Sequence, residues 1–336
     1  MIEVLRKTIE EVPMKPKVLA AVGFMACWLG GFSSGSIAAS APPLVQLSAG
    51  GFGSDAVSSW PVYVAQEKGF FAKEGIQLTF TRSYEQMMAL IGGSFDLIGE
   101  AADSPILAAD KGAEIVVVYD LSRRPSQFMV LAPGMNAISD LKGKTIGVWK
   151  IPSTDQMLTK KFLAKHGIDA SSVTFRRIGG SRDRFAALQT RQIGATVLST
   201  AYAFRAQEEG MRLVASPADW ETFPWTFVVA RRNWAEANKE SIIKYVRSVY
   251  RATQWLYDPA NYEEAVRVLS PITKFDDKVM RWALKGSIEQ KIYNLEKPSA
   301  AVFQAAAEWL LSEGFLSKPF DTSKILDTRY YEQAVK

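Results

Sequence analysis

Three kinds of side chain in this sequence are placed to do chemistry. Hydroxyls precede expected helices at Ser58, Ser59, Ser104, Ser153 and Thr154. A helix start carries unpaired backbone N–H groups and the positive end of the helix dipole, so this pairing suits an oxyanion such as a sulfonate or carboxylate. Aromatics are the second kind. Phe52, Trp60, Tyr84, Tyr202 and Trp225 suit the apolar or planar body of a small molecule. Acids are the third. Glu100 and Asp103 can receive an amine or a ring N–H, yet they oppose a bare anion. Asp103 and Asp155 also stand where a helix cap belongs, and Glu100 reads equally as a solvated acid. Arg182 can pair with an anion or lie on the surface.

The same inventory argues against catalysis. His166 is the only His and directly precedes Gly167, where it reads as a cation closing a helix. Cys27 is the only Cys and sits in an apolar run near the start. A Ser-His-Asp or Cys-His set cannot be assembled from these residues, nor can a His/Cys metal cluster, so no metal, no cofactor and no enzyme activity are expected. The formal charge of +5 is spread along 336 residues, without the clustered Lys and Arg of a nucleic-acid site. Gly51-Phe52-Gly53-Ser54-Asp55-Ala56 formally matches a dinucleotide fingerprint, but the helix that should follow it opens later, at Pro61.

The elements that position these groups begin with WPVYVAQEKGFFAKEGI, residues 60–76. Pro61 suits a first helical turn, Gly69 a left-handed stop, and Gly75 turns the chain into a strand at 76–80. A strand at 44–48 precedes this unit. Strands and short helices then alternate to about residue 230, which indicates mostly parallel sheets covered by helices. Beyond that point the chain reads as helical, with Ile242, Val246, Val249 and Leu256 on one stripe. Upstream, Lys15 and Lys17 precede an apolar run at 18–29 and small residues at 30–41. That is the order of an export signal, with cleavage expected near residue 38 and Met14 as an alternative start. The run is too short to span a membrane, which takes about 20 apolar residues. A lipid anchor at Cys27 is the lesser reading of the same segment.

Residues 60–76 resemble the first strand–helix–strand unit of ABC-transporter solute-binding proteins. The group concerned binds aliphatic sulfonates, taurine, nitrate and thiamine-precursor pyrimidines (the NMT1/THI5-like family). FDL at 95–97, DLKGKTIGV at 140–148 and RFAALQTRQIGA at 184–195 extend the resemblance in order, with Arg191 where a Gly is usual. The resemblance implies an α/β fold of the periplasmic binding protein type II class: two lobes, a cleft and two hinge crossings. The crossings fall near 130–132 and 227–229, giving lobe one as 43–131 plus 228–336 and lobe two as 132–227. It also implies an extracytoplasmic, monomeric component of an ABC importer that works with a permease and an ATPase in the inner membrane. Its cargo would be an aliphatic sulfonate, a taurine-like molecule or a related organic acid, gripped by hinge closure. A pyrimidine or thiamine precursor, an aromatic acid, or a sensory role on the same fold are the alternatives. Ligands in open α/β sheets lie beyond the carboxyl ends of strands. The expected ligand residues there are Phe52, Ser58, Trp60, Tyr84, Glu100, Asp103, Ser104, Ser153, Thr154, Asp155, Tyr202 and Trp225.

Overall fold

The computed structural model describes residues 44–53, 56–83, 85–220 and 225–336. The expected export signal with Cys27, and the expected ligand residue Tyr84, lie outside the described residues.

The first third of the chain follows the expected alternation. Strand β1 (Val45–Gly51) leads through a short turn to helix α1 (Trp60–Glu67) and its continuation α2 (Phe70–Lys73). Gly69 separates the two helices at φ 68°, in the left-handed region that a side chain would disfavour. Then come β2 (Ile76–Arg82), α3 (Gln86–Ile91), β3 (Leu97–Glu100), α4 (Asp103–Asp110) and β4 (Ile115–Ser122). All eight residues of β4 are buried, as a strand covered on both faces requires.

The middle third builds a second set. It comprises β5 (Phe128–Leu131), β6 (Thr145–Val148), α5 (Thr154–Lys165), β7 (Thr174–Arg177), α6 (Ser181–Gln189), β8 (Ala195–Leu198), α7 (Thr200–Glu208) and β9 (Leu213–Ala215). The last third opens with β10 (Thr226–Arg231) and is helical thereafter: α8 (Arg232–Ala237), α9 (Lys239–Tyr257), α10 (Tyr262–Thr273), α11 (Asp277–Glu289), α12 (Ala300–Ser312) and α13 (Arg329–Ala334).

Two five-stranded sheets result, in the orders β2-β1-β3-β10-β4 and β7-β6-β8-β5-β9. Each is mixed rather than wholly parallel. Strand β10 runs antiparallel to both β3 and β4, and β5 antiparallel to both β8 and β9. The reason is topological, since β5 and β10 are the strands by which the chain arrives in a sheet from the other one. The crossings accordingly lie between Ser122 and Phe128 and between Ala215 and Thr226. Residues 130–132 and 227–229, where the sequence suggests hinges, are instead largely strand. Their Val, Phe and Leu side chains find more burial in a sheet than in an exposed link.

One apolar cluster joins α1, α9 and one face of the first sheet, with Trp60, Val62 and Val246 fully buried in it. Another runs from Ile98, Ile106 and Phe227 through α12 to Leu131 and Ile146 of the second sheet and Leu163 of α5. Gly51 belongs to this packing. A Cβ there would stand 2.2 Å from the Phe80 ring, so the glycine serves close approach within the sheet rather than a phosphate.

Candidate functional site

The carboxyl ends of β1, β2 and β3 face those of β6, β7 and β8 across a cleft of about 830 Å³, counting space continuous with solvent. Phe52, Arg82 and Glu100 stand at the strand ends of the first sheet, and Lys150, Gly180 and Ser199 just beyond those of the second. Trp149 and Trp225 add aromatic wall.

The wall contributed by the second sheet is built for negative charge. Helices α5, α6 and α7 all begin at the cleft, and each follows directly on a strand. The α5 start is largely spoken for, because Ser153 Oγ accepts the Gln156 amide at 3.3 Å. Helices α6 and α7, of 9 residues each, have no side-chain cap. Ser181 Oγ accepts the Ser199 amide at 3.0 Å and so ties the two helix starts together. Arg184 lies one turn into α6, on the face of Ser181. Its side chain is buried, with Nη1 donating to Asp155 Oδ2 at 2.8 Å. Arg184 Nε and Ser199 Oγ are also buried and, among the described residues, have no hydrogen-bond partner. An unpaired buried donor costs about 1–3 kcal/mol, which an acceptor brought by a ligand would recover. Burial pushes the Arg184 pKa down, against the pull of Asp155.

The wall contributed by the first sheet carries acids. Glu100 is buried, and burial lifts its pKa from the ordinary value near 4.5 to about 7. Asp103 adds to that rise, while Lys150 works against it. Asp103 is 2% exposed and does not cap its own helix. It accepts both the Thr154 amide and the Thr154 hydroxyl, and Lys150 Nζ stands 2.9 Å from its other oxygen. Lys150 also donates to Ser104. Burial alone would lower the Lys150 pKa, but Asp103 and Glu100 outweigh it and hold the ammonium charged. Gln127 Oε1, buried at the crossing, is an acceptor with no donor among the described residues.

The expected residues divide accordingly. Phe52, Glu100, Asp103, Ser153, Thr154, Asp155 and Trp225 line the cleft, and Ser104 lines a groove continuous with it. Asp155 holds Arg184 instead of capping α5, a task that falls to Ser153. Trp60 and Ser58 do not reach the cleft. Trp60 is wholly buried in the core under α9, because the first helix opens with its aromatic turned inward, and Ser58 is buried in the turn before it. Tyr202 packs on Phe185, with Arg205 over its ring, away from the cleft lining. His166 Nδ1 lies 2.8 Å from the Phe162 carbonyl at the end of α5, the expected closing position. Arg182 is exposed, and Arg184 takes the place offered to it.

The sequence alone does not single out Lys150, Trp149 or Arg184. Trp149 directly follows the strand residues 145–148 in sequence, whereas β6 ends at Val148 and releases Trp149 and Lys150 into the loop. Arg184 has a usable signal, its i,i+3 spacing from Ser181 at a helix start. Among the described residues, no group of His, Cys, Asp and Glu is arranged to hold a metal ion, and no helix is long and apolar enough to cross a membrane.

Comparison with known proteins adds four findings. A family model described as NMT1/THI5 like matches residues 57–262. A protein of Bacillus subtilis (strain 168) named as a binding protein, YtlA, is 23% identical over 210 residues, covering 58% of this chain and 62% of its own length. The chain thus spans under two thirds of that relative. Among solved structures, the periplasmic aliphatic sulphonate binding protein SsuA from Escherichia coli aligns with TM-score 0.70 at 19% identity, over 87% of this chain and 100% of its own. The periplasmic nitrate-binding protein NrtA from Synechocystis PCC 6803 aligns with TM-score 0.74 at 16% identity, over 88% and 89%. At these identities the likeness is one of fold, the two-lobed periplasmic binding protein fold.

Proposed function

The chain belongs to the NMT1/THI5-like family, and on that premise we propose that it is the extracytoplasmic solute-binding component of an ABC importer. It binds a small organic acid between its lobes and hands it on unchanged. The lobes are the two sheets with their helices, and the permease and ATPase are its partners. The observation that carries the reading is the anion-ready wall: two uncapped helix starts, Arg184 Nε and Ser199 Oγ converge on one end of the cleft. A sulfonate or carboxylate placed there satisfies buried donors that have no partner among the described residues. Closure follows because such a ligand touches both lobes at once only when the cleft is shut.

A second reading has its own support. Gln127 Oε1 and Glu100 are acceptors flanked by Phe52, Trp149 and Trp225. That set suits a planar heterocycle bearing N–H groups, such as a pyrimidine.

A thermal-shift screen of alkanesulfonates, taurine, nitrate, aromatic acids and pyrimidines separates the two. A ligand at a hundredfold excess over its dissociation constant stabilises by about 2.7 kcal/mol, a readily measured rise in Tm. Shifts with the acids and none with the pyrimidines support the first reading. The reverse pattern supports the second, and turnover of any ligand by the pure protein would defeat both.

A further inference from the structure

A recess separate from the cleft lies beside the first crossing, and both lobes wall it. Phe128 of β5 and Thr200 of α7 line one side, and Trp282, Gly286 and Ser287 of α11 the other. Helix α11 belongs to the first lobe, since its Met280, Ala283 and Leu284 share the apolar cluster of Trp60 and Val246. Its other face leans on the second lobe. The Trp282 ring stands 5.1 Å from that of Phe128 and 5.3 Å from that of Phe204, and Lys278 pairs with Glu208 at 2.6 Å. The chain after α11 is tied to the start of the crossing, where the Arg123 amide donates to the Ile292 carbonyl at 2.9 Å. The shape of the recess therefore depends on the hinge.

Gly286 keeps its floor open. It lies inside α11, where glycine is a poor helix former. A Cβ there would meet nothing within 4 Å among the described residues, and the backbone is not left-handed, so neither close packing nor conformation calls for glycine. The polar groups of the recess are acceptors. The Thr200 and Ser287 hydroxyls are buried, and each donates its proton to a backbone carbonyl, that of Ser126 at 3.0 Å and that of Ala283 at 2.6 Å. What they offer a guest is lone pairs. The recess also lies along the last turns of α11, the negative end of its dipole. Lys285 and Glu289 pair with each other at 3.8 Å and add no net charge.

We propose that this recess is a second ligand site, for a small flat ring bearing an N–H donor, and that filling it favours hinge closure. The ring stacks on Trp282 over Gly286, and its N–H points to the Thr200 and Ser287 oxygens. The recess has this shape while Asp103 and Thr154 are joined across the cleft at 2.7 Å, so a guest that fits it selects the closed arrangement. Contact between the two sites is short. Ser126 lines both, and Thr200 directly follows Ser199 of the cleft. The site stands apart from the organic-acid reading, and only its effect on the cleft rests on that reading.

The test is calorimetry with indole as the probe and benzothiophene as its counterpart of the same shape without the donor. Indole should bind about two- to tenfold more tightly than benzothiophene, the worth of one hydrogen bond. Gly286→Leu puts a side chain into the recess and should lower indole affinity by about tenfold or more. Leucine is the better helix former, so this variant should melt no lower than wild type. Saturating indole should tighten ethanesulfonate binding in the cleft by about fivefold or more, and ethanesulfonate should tighten indole equally. No indole binding to wild type, equal affinity for the two rings, or indole binding that survives Gly286→Leu overturns the site. Indole binding that leaves a measurable ethanesulfonate affinity unchanged overturns the link to the hinge. Failure of ethanesulfonate to bind counts against the acid reading, while the comparison of the two rings and of the variant still decides the recess.

Discussion

Asp103 and Thr154 join the two lobes across the cleft: the Thr154 hydroxyl donates to Asp103 Oδ1 at 2.7 Å and its amide donates to the same oxygen at 3.2 Å. Lys150 adds an ion pair to the other oxygen. Asp103 is thus the receiving half of a clasp made from protein alone, and the closed form does not depend wholly on a ligand. Asp103→Ala removes the acceptor and the ion pair of Lys150. The free variant should be more open, with a larger radius of gyration in solution scattering than wild type. Ligand should restore closure at an affinity cost of about tenfold, the cost of having to shift the open form back. Equal radii for variant and wild type would show that the clasp does not hold the lobes.

Arg184 is tested by a change that keeps its charge. Arg184→Lys preserves the attraction to Asp155 but loses the planar fork and the Nε donor. Affinity for sulfonates should fall by about tenfold or more, while Tm moves much less than in Arg184→Ala, which strands a buried carboxylate. Unchanged affinity in the Lys variant would place the acid head elsewhere.

Glu100 and Asp120 give the stability a pH dependence of definite sign. Burial raises Glu100 to about 7 and Asp120 to about 8, from ordinary values of 4.5 and 3.8. The native state holds protons that the unfolded chain releases. Their stabilising effect is therefore complete below about pH 4 and is lost as pH rises through 7 and 8. Tm should fall between pH 5 and pH 8, and Glu100→Gln should flatten the part of that slope below pH 7. Protonation of Glu100 also removes a negative charge from the cleft, so anion affinity in wild type should rise from pH 8 to pH 6. The Gln variant should lack that rise, spare simple anions and bind amine-bearing ligands more weakly. A Tm that climbs from pH 5 to pH 8 would contradict the assignment.

Trp60 belongs to the core. Trp60→Ala should cost about 3–5 kcal/mol of stability, as large-to-small changes in packed interiors do. In chemical denaturation its midpoint should drop sharply, whereas ligand affinity, measured where the variant is still folded, should change little.

Arg191 holds φ 57° in the turn after α6, an exposed position where a side chain pays about 1–2 kcal/mol and glycine does not. Glycine costs about 0.5–1 kcal/mol in chain entropy. Arg191→Gly should therefore be stabilising by roughly 0.5 kcal/mol, seen as a small rise in denaturation midpoint. A clear loss would mean that the arginine side chain makes up for its backbone.

Much of the fold is legible in the sequence because its punctuation is local. Gly69, Gly75 and Gly167 all take the positive φ that ends or turns an element, and each is read directly from residue type. The crossings are misplaced because Phe128–Leu131 and Thr226–Arg231 are apolar runs whose partners are set by tertiary pairing, which no local pattern reveals. In the site, Ser153, Thr154, Asp103 and Asp155 stand at the cleft as their place at helix starts suggests, whereas Ser58 does not reach it. Trp60 and Tyr202 mislead because an aromatic beside a cleft and one beneath it look alike in sequence. Arg184 and Lys150 escape notice because a cation is read as solvated until its buried counter-ion is known.

The position of β10 in the first sheet, between β3 and β4, has a consequence for biosynthesis. Until residue 231 has left the ribosome, β4 has no neighbour linking it to β3, and the sheet made of the first 122 residues stays divided. The middle third, whose five strands are contiguous in sequence, has all its partners earlier. It should mature first, and a nascent chain arrested short of β10 should present one protease-resistant half of the clamp and one that is still digestible.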